Sequence, residues 1–304
     1  MPEWDPEVTV DAALVRGLLA DQFPELDASS ACLLGEGWDN SVWAVEDTWA
    51  FRFPRRAIAI PGVEREIAVL PRLAPLLPAP IPTPTFVGVP GDRFPWPFFG
   101  APILGGVEPA DAGLTDDDRI ALGGVLGAFL RVLHAPETLD SVDPERTLPV
   151  DFNRRADMQI RVARVRDRLR RLPADVWRPP GSVECLLRDA EALEPTNLAT
   201  LVHGDCHYRH VLVDGGSVSG VIDWGDVCRA DPAVDLMILW LLLPPDGRRD
   251  FVAAYGPIDD ARLLRARVLA LFLGVALGLY ARDVGNARLE RESVAALDRT
   301  LTDY

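Results

Sequence analysis

The stretch LVHGDCHYRHVLVDGGSVSGVIDWGD, residues 201–226, holds three of the four histidines of the chain between short apolar runs. Gly215 and Gly216 separate two of these runs, which predicts a β-hairpin with a tight turn. Asp205 lies in the polar segment before the hairpin, and Asp223 lies at the end of its second strand. The stretch therefore predicts a polar loop followed by a hairpin that carries a carboxylate.

Composition limits the class of protein. With 304 residues, 48% of them hydrophobic, the chain is long for one core and suits two packed lobes. The formal charge of −15 counts against binding to nucleic acid, because such proteins neutralise phosphates with a basic surface. All 31 basic residues are arginines. We therefore expect a globular protein whose partner is not nucleic acid.

The sequence predicts neither export nor a membrane span. The first residues, MPEWDPEV, lack the basic and apolar regions of a signal peptide. The longest uncharged apolar run, residues 268–281, is shorter than the ~18 residues of a membrane helix and predicts a buried helix instead. The four cysteines form no disulfide framework. We expect a cytoplasmic protein, without membrane partners, that is a monomer or a weak dimer.

The apolar pattern changes near residue 105. Residues 1–104 combine short β-rich runs with one helical segment, whereas residues 105–304 have mostly helical spacing. Paired glycines end the stretch FFGAPILGG, so we place a hinge at about residues 99–105. The arginine-rich segment 153–172 could form a substrate surface, but a solvated helix face is the preferred interpretation. We expect the C-terminal lobe to line the substrate pocket, from helices near 153–172 and 251–285. The predicted class is α+β, with a β-rich N-terminal lobe and a mainly helical C-terminal lobe.

A glycine-rich segment, GEGWDNSVWAV, covers residues 35–45. Gly35 and Gly37 let backbone amides approach a phosphate closely, and Asn40 and Ser41 begin the strand that leaves the turn. All four residues are candidates for contact with the nucleotide phosphates. The spacing matches the glycine-rich loop of kinases, except that Asn40 stands in place of the third glycine. Taken alone, the segment fits an ordinary hairpin better than a phosphate-binding loop.

The next strand, within WAFRFPRR, carries Arg52. Kinases have a lysine in the corresponding strand, which binds phosphates and pairs with a glutamate of the following helix. That helix offers Glu64 and Glu66, and at 100° per residue Glu66 falls inside the apolar stripe while Glu64 falls outside it. Because a buried carboxylate needs a partner, we predict that Glu66 pairs with Arg52.

The opening stretch supplies the remaining kinase motifs. HGD at 203–205 corresponds to the catalytic H-R-D, DWG at 223–225 corresponds to D-F-G, and His210 stands at the position of the kinase asparagine. With HVLVD, VSGVIDW and FRFPRR, the chain resembles the aminoglycoside phosphotransferases in the broad sense, and their macrolide branch most of all. The resemblance implies a bilobal, protein-kinase-like fold and a small-molecule kinase.

The same resemblance implies roles for individual residues. Asp205 would orient the acceptor hydroxyl, and Asp223 and His210 would hold Mg²⁺, with His210 acting directly or through water. ATP or GTP would donate the phosphoryl group, and the acceptor would be a hydroxyl of a small molecule, an antibiotic of the aminoglycoside or macrolide type. A metabolic sugar or amino-alcohol kinase and a nucleotide-binding pseudokinase are the alternatives.

The nucleotide base is expected to bind backbone near residues 100–103. Pro102 has no N–H, so the hydrogen-bond donor would be Ala101 or Ile103.

Zinc is the other interpretation of the loop, with ligands from His203, Cys206, His207 and His210. Structural zinc sites usually gather spaced ligand pairs from two segments, which counts against it. A nucleophilic Cys206–His207 pair is disfavoured further, because adjacent side chains point apart. His203 is instead expected to hold the loop through a hydrogen bond to backbone.

Overall fold

The computed structural model describes residues 6–37, 39–196 and 198–302, which divide into two compact units. The first unit contains the described residues up to Leu76, with Pro80–Leu104 and Trp224–Asp226. The second contains Leu77–Ala79, Gly105–Asp223 and the described residues from Val227 onward. The DWG tripeptide is thus divided, since Asp223 groups with the second unit and Trp224 with the first.

The first unit consists mainly of an antiparallel sheet and two α-helices. Its helices are α1 Ala12–Gln22 and α2 Ile60–Leu73, and its strands are β1 Cys32–Glu36, β2 Asn40–Val45, β3 Trp49–Pro54, β4 Phe86–Gly88 and β5 Phe98–Pro102. The five strands lie in the order β1-β2-β3-β5-β4. Every neighbouring pair is antiparallel.

Aromatic side chains form the core of this sheet. Phe51 and Phe53 alternate with Arg52 along β3, so both rings enter the core and Arg52 leaves on the other face. Phe53 stacks on Phe98 with ring centroids 4.6 Å apart. A Cβ on Gly100 would lie 2.5 Å from the ring of Phe51, so β5 requires glycine where that ring crosses it.

The second unit is mainly helical and contains two short antiparallel ribbons. Its helices are α3 Pro109–Ala112, α4 Asp116–Leu133, α5 Pro136–Val142, α6 Met158–Arg171, α7 Gly181–Glu191, α8 Ala233–Leu236, α9 Ile238–Leu242, α10 Pro245–Tyr255, α11 Asp260–Asp283 and α12 Ala287–Arg299. The ribbons pair β6 Thr200–Val202 with β9 Cys228–Ala230, and β7 Val211–Asp214 with β8 Ser217–Val221. The predicted hairpin is therefore present as β7–β8.

The predicted apolar helix is longer than its uncharged run. It extends over the 24 residues of α11, and by length and composition this helix could cross a membrane. Of its most apolar window 56% is buried, and it packs against α6, α7 and α12. These contacts are typical of a core helix. The antiparallel sheet and the helical second unit confirm the predicted α+β class.

Candidate active site

The carboxylate of Asp205 lies between two cationic or polar groups in the loop that joins β6 to β7. Arg155 approaches one carboxylate oxygen with Nη2–Oδ1 at 3.4 Å, and His207 approaches the other with Nε2–Oδ2 at 3.4 Å. Burial would raise the pKa of Asp205, but His207 and Arg155 outweigh it and hold the pKa well below its usual range. Asp205 is therefore ionised at neutral pH and able to accept a hydrogen bond from a hydroxyl.

Asp235, from α8, fixes the start of this loop. Its Oδ2 accepts the backbone N–H of His203 at 2.7 Å, and its Oδ1 accepts that of Gly204 at 3.0 Å. Nε2 of His134 lies 3.1 Å from the same Oδ2. Gly204 has a φ of 90°, a conformation that favours glycine. The carboxylate thus holds a backbone turn that presents Asp205.

His203 also holds the loop, as the sequence predicts. Its Nε2–H donates to the carbonyl of Ile222 at 2.9 Å, and its Nδ1 accepts the backbone N–H of Asp205 at 3.2 Å. These contacts connect the loop that carries Asp205 to the residue just before Asp223. Both ring nitrogens of His203 are thereby used in hydrogen bonds.

His210 and Asp223 face each other beside the carboxylate of Asp205. His210 Nδ1 lies 2.9 Å from the carbonyl of Asp205, so this nitrogen carries the proton and Nε2 carries the lone pair. Nε2 lies 3.4 Å from Oδ2 of Asp223. Burial, followed by the neighbouring His207, lowers the pKa of His210, so its ring is neutral at pH 7.

This pair fits a divalent cation. A neutral imidazole nitrogen and a carboxylate oxygen both present lone pairs, and a cation between them would satisfy both. In the described parts of the chain, Asp205, His207 and His210 form the one group of three metal-binding side chains whose ligand atoms lie within 4.8 Å of each other. Carboxylate oxygens suit Mg²⁺, whereas imidazole is an unusual ligand for it.

Cys206 does not support the zinc or nucleophile interpretations. It is buried, and burial raises the pKa of its thiol well above the usual range, with Asp235 and Asp205 adding to the shift. Zinc ligation and nucleophilic attack both require a thiolate. The side chain is therefore a small apolar part of the loop.

In the first unit, Arg52 and Glu66 form the predicted ion pair. Nη1 of Arg52 lies 3.2 Å from Oε1 of Glu66, whose side chain is only 1% exposed. The same Oε1 accepts the backbone N–H of Trp224 at 3.2 Å. Arg65 donates to the carbonyl of Gly225. Helix α2 therefore binds the two residues that follow Asp223 in the chain.

The glycine-rich segment forms the turn between β1 and β2. Gly37 donates its N–H to the carbonyl of Asn40 at 2.8 Å, and a Cβ on Gly35 would meet no atom within 4 Å. Oδ1 of Asn40 is buried without a hydrogen-bond partner in the described residues. Ser41 is fully buried, and its Oγ accepts a hydrogen bond from Trp43 Nε1 at 3.3 Å. Its hydroxyl is thus engaged inside the sheet, against its predicted contact with phosphate.

The backbone donors predicted for the nucleotide base are engaged in the sheet. Ile103 N–H donates to the carbonyl of Thr48 at 2.8 Å. Ala101 lies two residues before Ile103 and is paired with Ala50 of β3. Hydrogen-bonded pairs recur every second residue in an antiparallel ladder, so the N–H of Ala101 also points toward β3. The prediction of Ala101 or Ile103 as donor is therefore corrected. Leu104 is the next residue whose N–H has no backbone acceptor among the described residues.

Arg155, Asp235 and Leu104 were missed from the sequence. Asp235 follows Asp231-Pro232 and resembles an ordinary first-turn carboxylate, although a charged residue in so apolar a helix signals a buried partner. Arg155 belongs to a segment interpreted as solvated, and its contact with Asp205 joins residues 50 positions apart.

Comparison with known proteins identifies the family of this chain. The profile of the phosphotransferase enzyme family, APH, matches residues 30–268. The uncharacterized protein YcbJ of Bacillus subtilis (strain 168) is 34% identical over 77 residues, which are 25% of this chain and 21% of that protein. The chain thus matches about a fifth of the length of this relative.

Solved structures with the same fold cover almost the whole chain. The GDP and kanamycin complex of APH(2")-IIia is 24% identical, with a TM-score of 0.69 over 94% of this chain and 97% of that one. The macrolide 2'-phosphotransferase MphH from Brachybacterium faecium is 23% identical, with a TM-score of 0.60 over 95% of this chain and 98% of that one. At these identities the likeness shows the fold.

Proposed function

The chain belongs to the APH phosphotransferase enzyme family, and from this premise we propose that it transfers the terminal phosphoryl group of ATP or GTP to a hydroxyl of a small molecule. The observation that carries the proposal is the ionised carboxylate of Asp205, which contacts Arg155 and His207. Asp205 stands five residues before His210 in the chain. A carboxylate so placed accepts the hydrogen bond of an acceptor hydroxyl and orients its oxygen for attack.

Asp223 and His210 would hold Mg²⁺, with His210 binding directly or through water. When bound, the ion would neutralise phosphate charge. Nδ1–H of His210 donates to the backbone of Asp205, so one imidazole both faces the metal-binding carboxylate and fixes the catalytic residue. The intact Asp205 and Asp223 favour an active enzyme over a pseudokinase.

The first unit would bind the nucleotide. Arg52, oriented by buried Glu66, offers a bidentate guanidinium to phosphate oxygens. Gly35 and Gly37 leave room for phosphates beside the backbone, and the side-chain NH₂ of Asn40 is the group of that residue that can donate to phosphate oxygens. Leu104 replaces Ala101 and Ile103 as the expected donor to the base.

The experiment is a screen of nucleotide consumption with ATP and with GTP against aminoglycosides, macrolides, simple sugars and amino alcohols. Mass spectrometry then checks each product for one added phosphoryl group. Phosphorylation of an acceptor hydroxyl that depends on nucleotide and Mg²⁺ supports the proposal. A purified, folded protein that binds neither nucleotide contradicts it. Aminoglycosides and macrolides enter this screen as the acceptors named for the solved neighbours.

A further inference from the structure

Helix α6 is strongly basic in an acidic protein. Its sequence, MQIRVARVRDRLRR, contains six arginines and one acidic residue, whereas the whole chain carries a formal charge of −15. Three of the arginines have carboxylate partners. Arg166 pairs with Glu184 and Glu191, and Arg170 and Arg171 pair with Asp167.

The other three arginines share one face of the helix. Arg161, Arg164 and Arg168 are spaced i, i+3 and i+7, which places them within one stripe. Within residues 6–37, 39–196 and 198–302, none of the three forms an ion pair with a carboxylate. We call these three residues the arginine face. The interpretation of the segment as solvated is wrong for Arg161, which is only 3% exposed.

Packing holds the arginine face in place. The ring of Phe272, from α11, packs against two guanidinium groups, with Cζ of Arg161 4.3 Å and Cζ of Arg168 3.7 Å from its centroid. Arg161 Nη2 donates to the carbonyl of Arg154 at 3.3 Å, while its buried Nε has no hydrogen-bond partner in the described residues. A buried guanidinium N–H without an acceptor is costly unless a ligand completes it.

The charges of this face add up rather than cancel. Burial, and then the charges of Arg155, Arg164 and Arg168, lower the pKa of Arg161 to about 10, so it remains a cation at neutral pH. The acidic group that acts on Arg161 is Asp151. Its oxygens accept the backbone N–H groups of Arg155 and Ala156 and are thus already engaged.

Arg155 connects the arginine face to the carboxylate of Asp205. Arg155, whose charge acts on Arg161, lies with Nη2 3.4 Å from Oδ1 of Asp205. Arg161 Nη2 donates to the carbonyl of Arg154, the residue before Arg155, so the positive charge of the arginine face lies next to the segment that carries Arg155. A cationic acceptor such as an aminoglycoside would be repelled by the arginine face, whereas an anionic acceptor would be attracted.

Resting on the proposed phosphotransferase function, we infer that the acceptor is a small hydroxylated acid, whose carboxylate or phosphate binds the arginine face at its exposed member, Arg164, while its hydroxyl is oriented by Asp205. Guanidinium groups recognise both anions through paired N–H donors. The acceptor class would thus differ from that of kinases that phosphorylate amino-sugar antibiotics.

The test uses acceptors matched in shape and different in charge. Glucuronate, glucose 6-phosphate, glucose and glucosamine form one series, glycerate, glycerol and 3-amino-1,2-propanediol form a second, and kanamycin is a further cation. Nucleotide consumption is measured on the full chain with ATP and GTP. We expect kcat/KM for the carboxylates or for the phosphate to exceed that of their neutral and cationic counterparts by about tenfold or more, with the preference reduced at high salt.

Arg164→Gln tests the face without disturbing the fold, because this side chain is exposed. It should raise KM for the acid by about tenfold, the scale of one charge-assisted hydrogen bond, and change kcat less. Arg170→Gln is the matched control, since Arg170 lies on the opposite side of α6 and pairs with Asp167. An equal effect of both variants would overturn the inference.

Nucleotide binding, titrated on the same samples, separates this inference from the proposed function. A wild-type protein that binds no nucleotide contradicts the proposed function and the inference with it. A wild-type protein that binds nucleotide without preferring the acids overturns the inference alone, whether it uses kanamycin, a neutral sugar or none of the panel. Preference for the acids that depends on Arg164 supports it.

Discussion

Replacing Asp235 by asparagine should displace the catalytic loop without removing any residue that touches the substrate. The carboxylate is completely buried and accepts the N–H of His203 at Oδ2 and that of Gly204 at Oδ1. His134 Nε2 shares Oδ2. An asparagine has only one acceptor oxygen, so its amide NH₂ must face one of these donors.

The geometry gives a magnitude for this change. The least costly orientation keeps the oxygen toward His203 and His134 and turns the NH₂ toward Gly204, which leaves one buried donor unsatisfied at about 1–3 kcal/mol. The remaining hydrogen bonds change from charge-assisted to neutral, which costs on the order of 1 kcal/mol each. Asp235→Asn should therefore lower the free energy of unfolding by roughly 3–5 kcal/mol.

Denaturant unfolding measures this loss, and kcat reports the position of Asp205. The matched control is Asp250→Asn, because Asp250 is exposed on α10 and its neutralisation should cost less than about 0.5 kcal/mol. We expect kcat to fall while binding of Mg-nucleotide changes little. Equal unfolding free energies for the two variants, or an unchanged kcat in Asp235→Asn, would refute the assigned role.

Four other outcomes are expected. In steady-state kinetics Arg155→Gln should lower kcat by about tenfold or more, and Arg155→Lys should retain part of the lost activity. Equal kcat in wild type and both variants would exclude a role of Arg155 in positioning Asp205. Leu104→Pro removes the proposed base donor and should weaken binding of a non-hydrolysable nucleotide in calorimetric titration, and unchanged affinity would eliminate that donor. His210→Asn should retain more activity than His210→Ala and shift the Mg²⁺ dependence, whereas equal loss of bound zinc and stability in both would support a zinc site. Burial opposes ionisation of Asp143, but hydrogen bonds from backbone N–H groups outweigh burial and lower its pKa. The difference in unfolding free energy between wild type and Asp143→Asn should therefore be complete above about pH 4 and become smaller as the pH falls through the lowered pKa. A difference that stays constant from pH 7 to pH 2 would contradict this.

The parts that the sequence predicts depend on local periodicity and order. The hairpin β7–β8 follows from alternation around two glycines, and the Arg52–Glu66 pair follows from the apolar stripe of one helix beside a strand of fixed alternation. His203 belongs to the same group, because a histidine in a tight polar turn has backbone groups close by. Each of these predictions needs only the geometry of an ideal helix, strand or turn.

The parts that the sequence does not predict depend on contacts between distant elements. Asp235 binds backbone 31 and 32 residues before it, and no periodicity specifies that pairing. The base donor was misassigned because the ladder register between β3 and β5 decides which N–H groups are engaged. The arginines of α6 look equivalent in sequence, and only the packing of α11 distinguishes the face that lacks carboxylate partners.

The most direct measurement is transfer of a labelled terminal phosphoryl group to acceptor by wild type and by Asp205→Asn, with nucleotide affinity titrated on the same samples. Asp205 is expected to contact the acceptor hydroxyl and to have no contact with the nucleotide phosphates. Transfer should therefore fall by at least about a hundredfold in the variant, while the Kd for Mg-nucleotide changes little. An Asp205→Asn protein that transfers phosphate at the wild-type rate would contradict the assignment of Asp205 as the catalytic residue.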